Sequence, residues 1–155
     1  MSSTASLPAL ERLATDAGRE LEDASAHEIL SWAAAEFGER FCVLSSMADA
    51  VVASLAAKAK PGIDVVFLDT GYHFAETIGT RDAVAATYDV NVISVSPEQT
   101  VAEQDAAYGK DLFSRDPDKC CALRKVAPME AALVNYEAWA TGLRRDEEPT
   151  RANTP

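Results

Sequence analysis

Apolar positions along this chain alternate between two rhythms, and their order predicts the fold. From Leu7 to Leu21 they fall at 10, 13, 14, 17 and 21, a helical stripe with a charged outer face. The six residues before it are small and polar and read as a frayed terminus. Ser25-Ala-His-Glu28 matches a capping box, which predicts a second helix from about Ala26 to Phe37, stopped by Gly38. His27 falls in its first turn, on the solvated side. Phe41-Cys-Val-Leu44 is a continuous apolar run of the kind a buried parallel strand carries, with Cys42 as a core thiol. Ser45 to Asp49 then turns into an alanine- and valine-rich helix that ends near Lys60-Pro-Gly62. Asp64 to Leu68 predicts a second strand, Phe74 to Tyr88 a helix, and Asn91 to Val95 a third strand. A further helix follows Pro97, with that proline in its first turn. Residues 109–117 read as a polar loop, Asp118 to Pro128 as a helix broken by its proline, and Glu137 to Thr141 as a fourth strand. From Asp146 onward the chain is polar and aperiodic, and there is no internal repeat.

Strands alternating with helices at this spacing indicate an α/β fold: an open, mostly parallel sheet with helices on both faces, as one domain over residues 1–155. Ligands of such sheets bind beyond the carboxyl ends of the strands. The loops placed there are Ser45–Asp49, Asp69–His73, Ser96–Pro97 and Thr141–Arg145.

Composition narrows the partners. A net charge of -11 argues against a broad nucleic-acid or membrane footprint, so an anionic ligand would need a local basic pocket. The cations do gather late in the chain, at Arg115, Lys119, Arg124, Lys125, Arg144, Arg145 and Arg151. Three cysteines is an odd count, and there is no secretory leader pattern and no apolar run long enough to span a bilayer. These features point to a reducing cytoplasm, with cysteines for metal or redox chemistry rather than disulfides.

Cys120 and Cys121 are followed one helical turn later by Arg124 and Lys125. On a helix, residues four apart share a face, and a cation near a thiol favours the thiolate. Adjacent cysteines point about 100° apart on a helix, which suits a multi-iron cluster better than a lone Zn2+. A pair of half-buried structural thiols is the plainer alternative. Ser45, Ser46 and Asp49 stand where a phosphate loop would stand, without its glycines; an ordinary helix cap is the alternative. Asp69, Thr70 and Gly71 offer a carboxylate and a hydroxyl at a strand end. Arg144 and Arg145 could clamp a phosphate or sulfate, or simply be solvated.

Taken together, Ser45-Ser-Met-Ala-Asp49, Leu68-Asp-Thr-Gly-Tyr-His-Phe-Ala-Glu-Thr77, Cys120-Cys-x-Leu-Arg-Lys-Val-x-Pro128 and Trp139-x-Thr-Gly-Leu-Arg-Arg145 resemble the assimilatory sulfonucleotide reductases over about residues 40 to 153. The Cys-Cys pair resembles the adenylyl-sulfate branch rather than the phosphoadenylyl-sulfate branch. The resemblance implies an adenine-nucleotide α-hydrolase-like fold, a [4Fe–4S] cluster, and a thiosulfonate on a catalytic cysteine that thioredoxin reduces to release sulfite. It implies Cys120 and Cys121 as two of four cluster ligands, Lys125 between cluster and substrate, Arg144 or Arg145 facing the phosphosulfate, and Ser45–Asp49 and Asp69–Gly71 as nucleotide loops. It also implies that the other two cluster cysteines and the catalytic cysteine lie beyond position 155, making this chain the N-terminal part of such an enzyme in sulfate assimilation and cysteine biosynthesis. Three other readings remain: a phosphoadenylyl-sulfate reductase, an ATP-pyrophosphatase or sulfate adenylyltransferase subunit, and a non-catalytic nucleotide-binding module. Neither nucleic acid nor membrane is an expected partner, and homo-oligomerisation is left open.

Overall fold

The computed structural model describes residues 6–154, so the expected fraying of the leading residues lies, Ser6 apart, outside the described residues. Its centre is a four-stranded sheet in the order β3-β2-β1-β4, built from β1 (Phe41–Leu44), β2 (Ile63–Leu68), β3 (Val90–Val95) and β4 (Ala138–Thr141). Every pairing is parallel: Val43 stands opposite Val65 on one side and Ala140 on the other, and Val65 opposite Val92.

Strand alternation sorts the sheet's two faces. Phe41 and Val43 of β1 and Ile63, Val65 and Phe67 of β2 point to one face, where they pack against α2 (Ala26–Phe37), α3 (Val51–Ala59) and α4 (Ala75–Thr87). Ala53 and Ala56 on α3 are fully buried, and their small side chains let the helix lie close to the strands. The opposite face is crossed by the β3-to-β4 connection, which holds α5 (Val101–Tyr108), α6 (Leu112–Arg115), α7 (Pro117–Cys121) and α8 (Ala127–Leu133). There Asp64 accepts hydrogen bonds from Asn91 Nδ2 and from the Tyr136 hydroxyl, each at 2.7 Å, tying β2, β3 and the end of α8 together. Cys42 lies in register with Asp64 and is fully buried. Burial, with the Asp64 charge adding to it, pushes its thiol up to about 12.

The capping box at Ser25 forms as predicted, and α2 ends at Gly38 with φ 55°, which a side chain would disfavour. α1 (Leu7–Glu20) buries Ala17, and His27 is exposed. Among the described residues no helix is long and apolar enough to cross a membrane.

Three expectations need correction. The helix after β3 starts at Val101, and Pro97 stays in the loop. Thr100 and Glu103 form a reciprocal capping box that satisfies two amide donors, which a proline start does not do. The polar stretch 109–117 folds a short helix, α6, because Leu112 is 3% exposed and anchors it behind Asp111, whose φ is 56°. Finally, Pro128 does not break the cysteine helix. A π-helical turn over Ala122–Val126, with Ala127 N–H bonded to the Ala122 carbonyl, precedes it. The wider turn accommodates a ring that would otherwise meet the carbonyl four residues back, so the helix runs on into α8.

Candidate functional site

The carboxyl ends of β1, β2 and β4 open into a crevice of about 460 Å³. Leu44, Val66 and Leu68 give it an apolar floor. Ser45, Ser46, Asp49, Thr70 and Thr141 supply hydroxyls and a carboxylate, and Lys125, Glu147 and Arg151 line it with charge.

The loop after β1 turns without glycine. Met47 takes φ 56° and is 1% exposed, and its amide donates to Ser45 Oγ at 3.2 Å. A buried methionine side chain thus holds a left-handed turn that glycine makes in other phosphate loops, at some cost in backbone strain. Asp49 Oδ1 accepts from Val51 N–H at 2.9 Å, which occupies the first amide of α3 from one residue ahead of the N-cap position, Ala50.

The loop after β2 divides its residues between two hollows. Thr70, 7% exposed, faces the crevice, as does His73, whose Nε2 lies 2.8 Å from the Leu68 carbonyl. Asp69 and Gly71 instead line a neighbouring hollow of about 270 Å³ with Ser96–Val101 and Arg124. Asp69 accepts from Gly71 N–H at 3.1 Å and has Arg81 at 3.7 Å. Gly71 has φ 79°, and a Cβ there would lie 3.0 Å from Val101 Cγ2 and 3.1 Å from Arg124 Nη2, so both conformation and space require glycine.

Cys120, Arg124 and Pro128 are the buried positions of the cysteine helix, four residues apart, while Cys121 and Lys125 are exposed. Arg124 and Cys120 therefore share a face, but the guanidinium is occupied elsewhere. Its Nε donates to the Thr70 carbonyl, and Nη1 donates to the Gln99 carbonyl and to Gln104 Oε1, both at 3.1 Å. It also lies 5.5 Å from the centre of the Tyr72 ring. Arg124 thus fastens the Thr70 loop to the helix from which Lys125 reaches the crevice. Among the described residues no three His, Cys, Asp or Glu side chains stand together as a metal site.

Arg144 and Arg145 lie outside the crevice lining. Arg144 faces Asp146 at 3.7 Å and Glu147 at 3.6 Å. Arg145 bonds Glu22 at 3.0 Å and the Thr154 carbonyl at 2.7 Å. The lining cation on this side is Arg151, which lies in an aperiodic stretch that offers no sequence signal for its position.

Gly142 brings the β4 loop against α3: a Cβ there would lie 2.5 Å from Val52 Cγ2. Gly142→Ala is expected to cost about 1–3 kcal/mol by overpacking, seen in denaturant unfolding, and Val52→Ala in the same chain should recover most of it. An unchanged unfolding midpoint would show that the loop lifts away freely.

A family model described as the phosphoadenosine phosphosulfate reductase domain matches residues 40–155. A protein of Streptomyces coelicolor named adenosine 5'-phosphosulfate reductase is 73% identical over 146 residues, covering 94% of this chain and 62% of the relative. A protein of the same name from Mycolicibacterium smegmatis is 61% identical with the same coverage. The chain therefore spans less than two thirds of the length of these curated relatives. The crystal structure of phosphoadenylyl-sulfate reductase from Candida auris, a phosphate complex, superposes with a TM-score of 0.70 at 25% identity, over 93% of this chain and 71% of that one.

Proposed function

The chain belongs to the phosphoadenosine phosphosulfate reductase family, and from that premise we propose that its crevice binds adenylyl sulfate for thioredoxin-dependent reduction to sulfite and AMP. The observation that carries this reading is Lys125. It projects from the helix of the cysteine pair into the crevice bounded by Ser45, Ser46 and Thr70, so two motifs far apart in sequence meet at one site. The name shared by the more similar relatives and the Cys120-Cys121 pair favour the adenylyl-sulfate branch.

In this reading the hydroxyls of Ser45, Ser46 and Thr70, beside the start of α3, receive the nucleotide's phosphate, as helix starts favour anions. A thiolate attacks the sulfur, the bond from sulfur to the phosphate oxygen breaks, and AMP leaves with the electron pair. A thioredoxin dithiol then displaces sulfite and ends as a disulfide. Lys125 and Arg151 stabilise the charge that builds on the leaving phosphate, the electrostatic contribution that dominates such steps. Arg144 and Arg145 would join them only by exchanging their present carboxylate partners. Asp69 and Gly71 act by shaping the Thr70 loop.

A [4Fe–4S] cluster takes four thiolates. Cys120 and Cys121 are two adjacent thiols, and Cys42 is buried inside β1, so the described residues do not by themselves fit the group.

Calorimetric titration with AMP tests the reading. The wild-type chain should bind, and Lys125→Ala should bind about tenfold or more weakly, with unfolding unchanged, because a charged hydrogen bond is lost from an exposed side chain. Absence of AMP binding would remove the nucleotide reading, and unchanged affinity in the variant would remove Lys125 from it.

A further inference from the structure

One ion pair in the crevice wall holds a cation that the proposed ligand would need. Lys125 and Arg151 are its lining cations, and Asp49 and Glu147 its lining carboxylates. Asp49 is engaged at the start of α3. Glu147 is engaged with Arg151: Nη1 donates to Oε2 at 2.7 Å, and the side chains are 36% and 33% exposed. The same oxygen accepts the Arg144 backbone N–H at 3.1 Å, and Arg144 Nη2 lies 3.6 Å from Oε1. A second carboxylate, Glu148, lies 3.5 Å from Arg151 Nε, accepts from Thr150 Oγ1 and is outside the crevice lining.

We propose that Glu147 is a built-in competitor for the ligand's phosphate, occupying Arg151 in the free chain and yielding it when a nucleotide binds. This rests on the sulfonucleotide reading of the crevice given above. The exchange is feasible because Glu147 keeps partners after it lets go: the Arg144 amide and guanidinium hold its carboxylate, while Arg151 turns to the phosphate. The charge is present at neutral pH, since the Arg144 backbone N–H, followed by the two arginines, holds the Glu147 carboxyl below its usual range. The consequence is a uniform penalty on any anion that takes Arg151, so that only a ligand bound strongly through its other contacts fills the crevice at a given concentration.

The test is AMP affinity by calorimetry at low ionic strength. Glu147→Gln should bind AMP about fivefold more tightly than wild type, the scale of one partly exposed ion pair. The gain should shrink in high salt, and it should be smaller in an Arg151→Gln background, where there is no masked cation to release. Glu148→Gln should stay within about twofold of wild type. If wild type binds AMP but Glu147→Gln gains nothing, or Glu148→Gln gains as much, or the Glu147→Gln gain is the same without Arg151, the competitor role is overturned and the nucleotide reading stands. If no variant binds AMP, both fall.

Discussion

Arg124→Ala is expected to destabilise the fold by about 3–5 kcal/mol, a large part of the stability a domain of this size has. Its side chain is 3% exposed and joins three segments: the Thr70 carbonyl after β2, the Gln99 carbonyl before α5, and Gln104 within α5. Truncation leaves a void beside Tyr72 and removes the partner of a glutamine that is fully buried. Losing the cavity contacts and leaving a buried amide unpaired are each large effects, and here they coincide. Arg124→Lys should rescue little, because a single ammonium cannot present the planar fork that reaches Thr70, Gln99 and Gln104 at once. Denaturant unfolding measures both variants. A loss under about 1 kcal/mol for Arg124→Ala would mean that the three segments hold together without the guanidinium.

The second large effect is on chemistry: the 155-residue chain is expected to release no sulfite from adenylyl sulfate and thioredoxin. Reduction needs a thiol that is ionised, exposed and mobile enough to meet first the substrate and then thioredoxin. Cys42 is fully buried in β1 with its thiol pushed up to about 12, and a group so shifted is ionised in only about one molecule in 10⁵ at pH 7. Cys120 is buried, and Cys121, though exposed, is fixed in α7 beside it. Appending the remainder of a longer relative, where the family resemblance implies the catalytic cysteine, should restore sulfite release. Sulfite from the 155-residue chain alone, lost on Cys121→Ser, would instead identify Cys121 as the nucleophile.

These two expectations depend on different amounts of tertiary information. The four strands and the first two helices are legible because their signals are local: continuous apolar runs for β1 and β2, and a capping box four residues long at Ser25. Local signals also mislead where two compete. Pro97 and Thr100 both mark a helix start, and only the second satisfies the amides of α5. The π-helical turn before Pro128 could not be read from the sequence, because a proline inside a helical pattern reads as a stop unless packing holds the widened turn.

By itself, the sequence determined the α/β class, a crevice at the strand ends and the chemical types that line it, because hydrophobic periodicity and cap residues act over a few positions. Tertiary structure alone decided which of those residues meet. It divided Asp69 and Gly71 from Thr70, gave Met47 the turn that glycine would make, buried Arg124 as a fastener, and placed Arg151 rather than Arg144 or Arg145 on the crevice wall. The reason is distance along the chain. Arg124 finds its partner carbonyl 54 residues away, and Arg145 finds Glu22 123 residues away. A side chain's role is set by whichever partner the completed fold brings within reach, and no local pattern encodes that partner.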